Sequence, residues 1–524
     1  MSKIEEHAAE ARPLLPISPA RKTAYRILRR VEAGRGFAVD LLQTQEVLAL
    51  NEADRRLATE LVMGVLRWRG ELDFQIGTIS GRPLERLDPE VATILRLGVY
   101  QIQFLERVPK AATVNEAVEM TKAAHKRSAA GFVNAVLRKC PARRGAARLE
   151  PFDGLGEAMR ASVRRASPGW LFERWAALKP PVIPAKAEIH SAETPVVPAK
   201  AGIYFAESEA IEAKVRSRLS VVRSNERLTT DNGQRTKDED LALRLAWEST
   251  QVPPTVLRVV DRAQDVARLR EELATEGVQT RPGRFSSRAL VVESGNMQAS
   301  QALRQGRVVI QDEASQLITD LLMPQPGQRV LDLCAAPGIK AGQIAQMLGS
   351  GTLVTCDRSV SRLHTMAKLL PHWLPKGVKW LAVRLDATQA LPFGCQFERI
   401  LLDVPCSGTG TLARNPEIKW RLRPRDLNRL AEAQVKMLKN ALGSLSGAGR
   451  LVYATCSLEP EENEGVVKRA LEESPGYQLA LPSELKSAYP ALSPLFDPQG
   501  YLRTRPDLYT MDGFFAAVIA RQNR

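Results

Sequence analysis

The chain has 524 residues, a formal net charge of +15 and six cysteines. This length allows about two to four domains, and without a Cys-x-x-Cys pair the sequence argues against a disulfide scaffold and a structural zinc site. The positive charge favours a polyanionic partner, with nucleic acid first, although a generally basic solvated surface gives the same composition. The N-terminal segment with Glu5, Glu6 and Glu10 has no apolar core, and no uncharged apolar run is long enough to span a membrane. We therefore predict a cytoplasmic protein that binds neither a membrane nor a metal.

The N-terminal part of the chain has the hydrophobic period of helices. From residue 19 to about residue 144, apolar residues recur three and four positions apart, and Ala24, Ile27 and Leu28 share one such face. This pattern predicts an all-helical domain over residues 1–178. Basic residues gather near both ends of the pattern, and two interpretations stay open: solvated helix faces, or a surface that contacts phosphates. These residues are Arg21, Lys22, Arg26, Arg29, Arg30, Lys126, Arg127, Arg138, Lys139, Arg143 and Arg144.

Regular patterning stops between residues 179 and 237. Prolines recur there, no hydrophobic period persists, and the stretch 182–190 returns in similar form at 196–204. Two short copies are too few to build a solenoid. We predict a proline-rich linker or insertion over 179–237 that is disordered.

Residues 238–300 resume an ordered pattern that predicts a small α+β module. Helical periods cover residues 241–248 and 263–276, and strand-like runs cover 255–260 and 289–293.

From residue 301 to residue 524, short apolar strands alternate with helical stretches. This alternation predicts an α/β Rossmann-like domain with a parallel sheet, whose ligands bind at the carboxyl ends of the strands. The predicted strands are 329–333, 352–356, 380–384, 399–402 and 451–454, and the predicted helices are 341–348, 361–369 and 427–444.

Three consecutive strands of this domain end next to an acidic residue. Asp332 leads into a turn of small residues, where backbone amides can approach a ligand closely. Asp357 follows the next strand and is suited to ribose hydroxyls, and Asp386 follows the third, where a carboxylate can meet an adenine amino group. The turn lacks the spacing of a Walker loop, which disfavours a triphosphate. Together these residues predict a nucleoside pocket.

Two further strands end in cysteines, in the motifs Asp403-Val-Pro-Cys-Ser-Gly-Thr-Gly410 and Thr455-Cys-Ser457. An isolated intracellular cysteine usually packs as a small hydrophobic residue. Cys406 and Cys456 instead stand at strand ends beside Gly, Ser and Pro, a position that favours reactive thiols.

These motifs together resemble those of the RNA cytosine-5 methyltransferases, which use S-adenosylmethionine. Within that family the chain is most similar to the ribosomal RNA small-subunit methyltransferase B type, whose helical N-terminal domain resembles the bacterial antitermination factor. The resemblance covers nearly the whole chain apart from about 179–237. It rests on Asp332-Leu-Cys-Ala-Ala-Pro-Gly338, the two cysteine motifs, Arg414-Asn-Pro-Glu-Ile-Lys-Trp420 and Gln311-Asp-Glu-Ala-Ser315.

The resemblance implies a fold and a set of site residues. It implies an S-adenosylmethionine-dependent methyltransferase domain over 301–524, preceded by the small α+β module and an antitermination-factor-like RNA-binding domain. Cys456 would be the nucleophile that attacks C6 of cytosine, Cys406 would assist product release, and Asp403 would contact the target base with Lys340 nearby. The implied S-adenosylmethionine ligands are Cys334, Ala335, Ala336, Pro337, Gly338, Ile339, Lys340, Asp357, Asp386 and Asp403.

The substrate implied by the resemblance is 16S (small-subunit) ribosomal RNA, and we expect a monomer. Ile339 departs from the family pattern because it stands where the family usually has a glycine, and a β-branched side chain resists positive φ. Two alternatives stay open: the same chemistry on transfer RNA, and a non-catalytic RNA-binding assembly factor that has lost the cofactor through Ile339. An amine methyltransferase is disfavoured because such enzymes use an Asn/Asp-Pro-Pro-aromatic loop and need no thiol.

Overall fold

The computed structural model describes residues 17–141, 156–178, 231–261 and 263–522, with the backbone alone for 231–239. Most of the predicted linker, residues 179–230, therefore lies outside the described residues. From Asp231 onward the chain is helical, although the prediction placed residues 231–237 in the linker. These residues are almost all polar, so no hydrophobic period marked the start of this helix.

The N-terminal unit is a bundle of helices around one apolar core. Its longest helix, Glu52–Ser80, begins after Asn51, whose side chain accepts a hydrogen bond from the Asp54 amide, and ends at Gly81 in the left-handed conformation. It packs closely on Pro89–Phe104, because Gly64 leaves room for the Tyr100 ring. The other helices are Pro19–Glu32, Ala38–Leu42, Gln45–Leu48, Lys110–Ala123, Ala130–Lys139, Glu157–Arg165 and Gly169–Ala176, with 3-10 turns at Leu84–Arg86 and Arg127–Ala129.

The helix Asp231–Glu248 belongs to this bundle and not to the α+β module in which the sequence placed its second half. Leu241, Leu245 and Trp247 are buried in the same core as Trp175, and the helix packs mainly on Gly169–Ala176. The helical period alone could not show which neighbour covers the apolar face.

The small module is a four-stranded antiparallel sheet in the order β2-β3-β1-β4. Its strands are β1 Val256–Val259, β2 Gln279–Pro282, β3 Ala289–Ser294 and β4 Val308–Ile310. Because β4 pairs with β1, the module extends beyond the predicted boundary at residue 300. Leu269 and Leu273 of the helix Val266–Thr275 pack on Leu257 and Val308 of the sheet. Short helical turns at Met297–Ala299 and Gln301–Arg304 precede β4.

The C-terminal unit is built on an eight-stranded sheet whose main path runs β10-β12-β9-β8-β5-β6-β7. Its strands are β5 Arg329–Asp332, β6 Ser350–Asp357, β7 Gly377–Arg384, β8 Phe397–Asp403, β9 Leu445–Thr455, β10 Tyr477–Leu479, β11 Leu502–Arg503 and β12 Phe515–Arg521. Strands β5 to β9 are parallel to each other, but β12 is antiparallel to β9, β10 and β11. The sheet is therefore mixed, and the prediction of a parallel sheet is wrong at this edge. The apolar pattern of residues 515–521 indicates a strand but not its direction.

Helices cover both faces of this sheet. Successive residues of one strand face opposite layers: Leu401 packs in one core, and Ile400 and Leu402 pack in the other. Strands buried on both faces explain the continuous apolar runs that the sequence shows. The helices are Glu313–Asp320, Ile339–Leu348, Val360–Leu369, Ile418–Arg421, Pro424–Gly443, Glu464–Glu472 and Pro482–Ala488, with 3-10 turns at Leu370–Trp373, Thr409–Thr411 and Pro490–Leu495.

The architecture confirms the predicted fold class of a helical domain, a small α+β module and a Rossmann-like domain. Among the helices in the described ranges, none is both long and apolar enough to cross a membrane.

Candidate active site

The carboxyl ends of β5, β8 and β9 meet at one edge of the sheet. The register pairs Asp332 with Leu401 and Asp403 with Ala454, so the loops that follow these strands are neighbours. Cys406 and Cys456 are brought together here, with their Sγ atoms 3.3 Å apart. Both thiols are partly exposed. The strands thus place side by side two cysteines that are fifty positions apart in the sequence.

Lys340 and Asp403 form an ion pair beside the two thiols. The Lys340 Nζ lies 2.8 Å from Asp403 Oδ2 and 5.3 Å from the centre of the Phe514 ring. Burial lowers the pKa of Lys340, but the charge of Asp403, its hydrogen bond to Lys340 and the other acidic groups nearby together outweigh burial and leave the pKa above its usual value. Lys340 is therefore a permanent cation next to the thiols.

Asp332 is the buried acid of the site. Neither of its carboxylate oxygens has a hydrogen-bond partner among the described residues. Burial, reinforced by the negative charge of Asp403, raises the pKa of Asp332 to about 7. Burial likewise raises the pKa of Cys334 well above its usual value, so Cys334 is a neutral thiol at neutral pH. A buried acid with two open acceptor positions fits a ligand that brings its own hydrogen-bond donors.

The loop after β5 turns at Gly338 in a backbone conformation that favours glycine. Gly338 has a φ of 105°, and a Cβ atom at this position would lie 2.8 Å from the Met366 side chain. Ile339 is already the first residue of the helix Ile339–Leu348, where it does not need a positive φ. Its carbonyl accepts a hydrogen bond from Arg258, a buried arginine of β1, at 3.4 Å. The residue that departs from the family pattern is therefore accommodated without backbone strain.

Asp357 and Asp386 lie on the neighbouring strand ends, as predicted. Asp357 accepts a hydrogen bond from the Ser359 amide at 2.8 Å and pairs with Arg362 at 3.2 Å. Arg362 also donates to the carbonyl of Ala336, so it ties the acid to the cofactor loop. Asp386 accepts hydrogen bonds from the amide and the hydroxyl of Thr388, and these hydrogen bonds lower the pKa of its carboxyl group. Asp332, Asp357 and Asp386 thus lie with the loop after β5 along one edge of the sheet, where their carboxyl groups offer acceptors for the hydroxyl and amino groups of a ligand such as S-adenosylmethionine.

A buried glutamate that sequence reasoning missed joins the two cysteine loops. Glu462 Oε2 accepts hydrogen bonds from Ser457 Oγ at 2.6 Å and from Ser407 Oγ. Its Oε1 accepts from the Ser407 amide at 2.9 Å and from Gln434 Nε2 at 3.0 Å. In the sequence, each of the two cysteines is followed by a serine, which was the available sign of a shared partner. Only the fold shows that one carboxylate accepts hydrogen bonds from both serines.

The motif from Arg414 to Trp420 docks the catalytic unit onto the helical bundle. Lys419 is fully buried and donates to the carbonyls of Arg67 and Ala166 and to Ser249 Oγ, at 2.9 to 3.1 Å. Burial lowers the pKa of Lys419 to about 7. The Trp420 indole donates to the carbonyl of Leu66 at 2.9 Å. A motif that supported the family resemblance thus builds the interface between the two units.

The motif from Gln311 to Ser315 connects to the same segment. Arg414 pairs with Asp312 at 2.7 Å and with Asp512 at 3.0 Å, and it also donates to the carbonyl of Pro254. Burial and the charge of Asp312 raise the pKa of Asp512 to about 7. One arginine therefore joins the small module, the docking motif and the C-terminal segment.

The helical bundle also contacts the loop that follows Cys456. Arg174 forms ion pairs with Glu459 and Glu461, and Glu459 is fully buried. The position of the bundle is therefore coupled to the loop that carries this cysteine.

Comparisons with known proteins agree with this architecture. A family model described as "16S rRNA methyltransferase RsmB/F" matches residues 319–520, and a model described as "NusB family" matches residues 18–141. The ribosomal RNA small subunit methyltransferase B of Pseudomonas putida is 30% identical over 458 residues, which are 87% of this chain and 89% of that protein. The probable ribosomal RNA small subunit methyltransferase B of Bacillus subtilis is 28% identical over 510 residues, 96% and 98% of the two chains.

A solved structure shows the same fold over almost the whole length. The crystal structure of PH0851 matches with a TM-score of 0.66 at 22% identity, and the match covers 97% of this chain and 100% of that one. The predicted family and the predicted cofactor, S-adenosylmethionine, are confirmed. The chain belongs to the RsmB/F family of 16S rRNA methyltransferases and is an S-adenosylmethionine-dependent RNA methyltransferase.

Proposed function

We propose that the protein methylates C5 of a cytosine in 16S ribosomal RNA through a covalent bond between Cys456 and C6 of the base. The observation that carries this proposal is the pair of thiols 3.3 Å apart, next to the Lys340–Asp403 ion pair and the acidic strand ends. Methylation of an exocyclic amine needs no thiol, whereas C5 of cytosine becomes nucleophilic when a thiolate adds to C6.

The two neighbours of Cys456 stabilise its thiolate. We assign Cys406 as the hydrogen-bond donor of the two thiols, because its hydrogen bond to Cys456 and its burial raise the pKa of Cys406 well above its usual value. The Lys340 ammonium interacts electrostatically with the same thiolate. Because the thiolate is the nucleophilic form of a cysteine, the proposal requires Cys456 to lose its proton before it attacks C6, while Cys406 keeps its own.

Asp403 and Lys340 are assigned to the polar edge of the base. Attack at C6 moves an electron pair toward N3 and O2, and a fixed cation with its hydrogen-bonded partner stabilises this developing charge. S-adenosylmethionine supplies the electrophilic methyl group that C5 accepts.

Cys406 is assigned to the release step. When Cys456 is bonded to C6, its charge and its hydrogen bond to Cys406 are lost, so the pKa of Cys406 falls at the stage where a base is needed. Cys406 then gives its thiol proton to solvent, and the resulting thiolate removes the C5 proton. The electron pair of the C5–H bond restores the C5–C6 double bond, and Cys456 leaves with the electron pair of the S–C6 bond. Cys406 therefore acts as a hydrogen-bond donor during attack and as a base during release.

The helical domain is assigned to RNA binding. Its basic residues differ in whether they form ion pairs within the bundle. Arg29 pairs with Glu32 and Glu90 within the bundle, which makes it structural. Arg30 is exposed and has no ion pair with any residue in the described ranges, so it is the better candidate for a phosphate contact. The names of the relatives favour ribosomal RNA over transfer RNA.

The test is methyl transfer from labelled S-adenosylmethionine to unmodified small-subunit ribosomal RNA and to transfer RNA. We expect label at C5 of a cytosine in the ribosomal RNA, and no transfer by Cys456→Ala. Transfer to transfer RNA alone would overturn the substrate, and label on an exocyclic amine would overturn the chemistry. A protein that binds RNA but transfers no methyl group to either substrate would support the assembly-factor alternative.

A further inference from the structure

Glu462 is a buried carboxylate with all of its acceptor capacity filled from three parts of the chain. Its side chain is inaccessible to solvent. The four donors are the Ser407 amide and hydroxyl, the Ser457 hydroxyl and the Gln434 side chain. A carboxylate accepts about four hydrogen bonds, and this number is reached here without water. The backbone carbonyl of Glu462 is held as well, by the Tyr453 hydroxyl at 2.6 Å.

These donors are the immediate neighbours of the two thiols. Ser407 follows Cys406, Ser457 follows Cys456, and the two serine hydroxyls lie 2.9 Å from each other. Gln434 also donates to the carbonyl of Pro405 at 3.0 Å, which fixes the other side of Cys406. We propose that Glu462 is a positioning residue that sets the distance and orientation of Cys406 relative to Cys456.

The connection between the two cysteine loops requires a side chain in which both terminal atoms accept hydrogen bonds. The hydroxyls of Ser407 and Ser457 share Glu462 Oε2, while Oε1 accepts two N–H groups. A glutamine keeps one acceptor oxygen and introduces an NH₂ group that only donates, so two of the four donors lose their partner. A buried donor without a partner destabilises the folded protein, and the loops relieve this cost by moving apart. The thiols at the start of the loops then move with them.

Positioning and electrostatics predict opposite effects of this substitution. The hydrogen bond to Cys456 and burial are the main causes of the raised pKa of Cys406, and the charge of Glu462 adds to them. Loss of that charge alone would make Cys406 more acidic and more reactive. Displacement of Cys406 relative to Cys456 would make the two thiols react with each other more slowly, whatever the pKa of each thiol.

The test is the rate at which diamide closes a disulfide between Cys406 and Cys456. The two thiols give up two protons and two electrons to diamide, which is reduced to the hydrazine. The reaction needs neither RNA nor S-adenosylmethionine, so its outcome is independent of the proposed cytosine chemistry, although the role of Glu462 in catalysis rests on that proposal. All proteins carry Cys395→Ser, which removes the exposed thiol.

We expect Glu462→Gln to close the disulfide at least about tenfold more slowly, because misplacement of about 1 Å can cost about a hundredfold in such a step. The matched control is Glu472→Gln, an exposed carboxylate on the following helix that forms an ion pair with Lys468, and this variant should close the disulfide at the parental rate. An unchanged or faster rate in Glu462→Gln overturns the proposal.

A second variant decides the outcome if Glu462→Gln does not fold. Ser457→Ala removes one of the two hydroxyl connections and leaves Ser407 and Gln434 bound to the carboxylate. We expect intermediate slowing in a protein that still unfolds in one cooperative thermal transition. Parental closure in a folded Ser457→Ala protein would show that the connection does not set the thiol distance.

Discussion

Lys419 allows a quantitative test of how the two large units are held together. It is fully buried, and its three hydrogen-bond partners are neutral oxygen atoms of Arg67, Ala166 and Ser249. Burial lowers its pKa from 10.5 to about 7. Because the folded protein binds this proton less tightly than the unfolded chain, stability rises with pH between these two values.

The size of this effect follows from the two pKa values. A full unit of pH contributes about 1.4 kcal/mol where only the unfolded chain is protonated. Half of Lys419 is still charged near pH 7 and almost none at pH 9, so the gain between these two pH values is about 2 kcal/mol. The substitution Lys419→Met keeps the length of the side chain and removes the titrating group.

The assay is urea unfolding followed by tryptophan fluorescence, with parent and variant measured in parallel at pH 7, 8 and 9. We expect the parent to be the more stable protein, with a lead over Lys419→Met that widens by about 2 kcal/mol across this range. Lys468→Met, a change at an exposed position, should give a constant difference. A lead that stays constant or shrinks with pH would refute the assignment of Lys419 as a desolvated amine.

Three further predictions follow from the site and its surroundings. Asp332→Asn should stabilise the protein by about 2–4 kcal/mol at pH 8 and not at all below pH 4, because the raised pKa of Asp332 makes its ionisation in the folded protein unfavourable. Calorimetry should also show weaker binding of S-adenosylmethionine to this variant. Arg174→Ala breaks the ion pairs to Glu459 and Glu461, and should lower the methylation rate with an unchanged dissociation constant for S-adenosylmethionine; an equal fall in affinity would contradict this coupling. Arg30→Glu should weaken RNA binding and flatten its salt dependence with no loss of melting temperature, whereas Arg29→Glu should lower the melting temperature.

The sequence predicts the parts of the fold that depend on local patterns. The strands that carry Asp332, Asp357, Asp403 and Cys456 were found because they are apolar runs that end in turn residues. Each of these residues lies at the sheet edge where a parallel arrangement requires it.

The sequence could not predict contacts between distant segments. Lys419 and Trp420 belong to a motif that supported the family resemblance without indicating a role, and the structure shows that their partners include carbonyls of the helical bundle. Glu462 is one of several acids in a row, and only the fold distinguishes it by burial from the partly exposed Glu461. The direction of β12 and the burial of the helix Asp231–Glu248 likewise depend on which surfaces meet, and not on local propensity.

The most direct test of the account is the isolation of the covalent complex between protein and RNA. Cys406→Ala is incubated with S-adenosylmethionine and unmodified small-subunit ribosomal RNA, and the protein is then separated under denaturing conditions and digested for mass spectrometry. We predict a stable adduct in which Cys456 is bonded to a methylated cytosine, because the thiol assigned to release is missing. Normal turnover without an adduct, or an adduct on a different residue, would contradict the assignment of Cys456 as the nucleophile and of Cys406 as the group that releases the product.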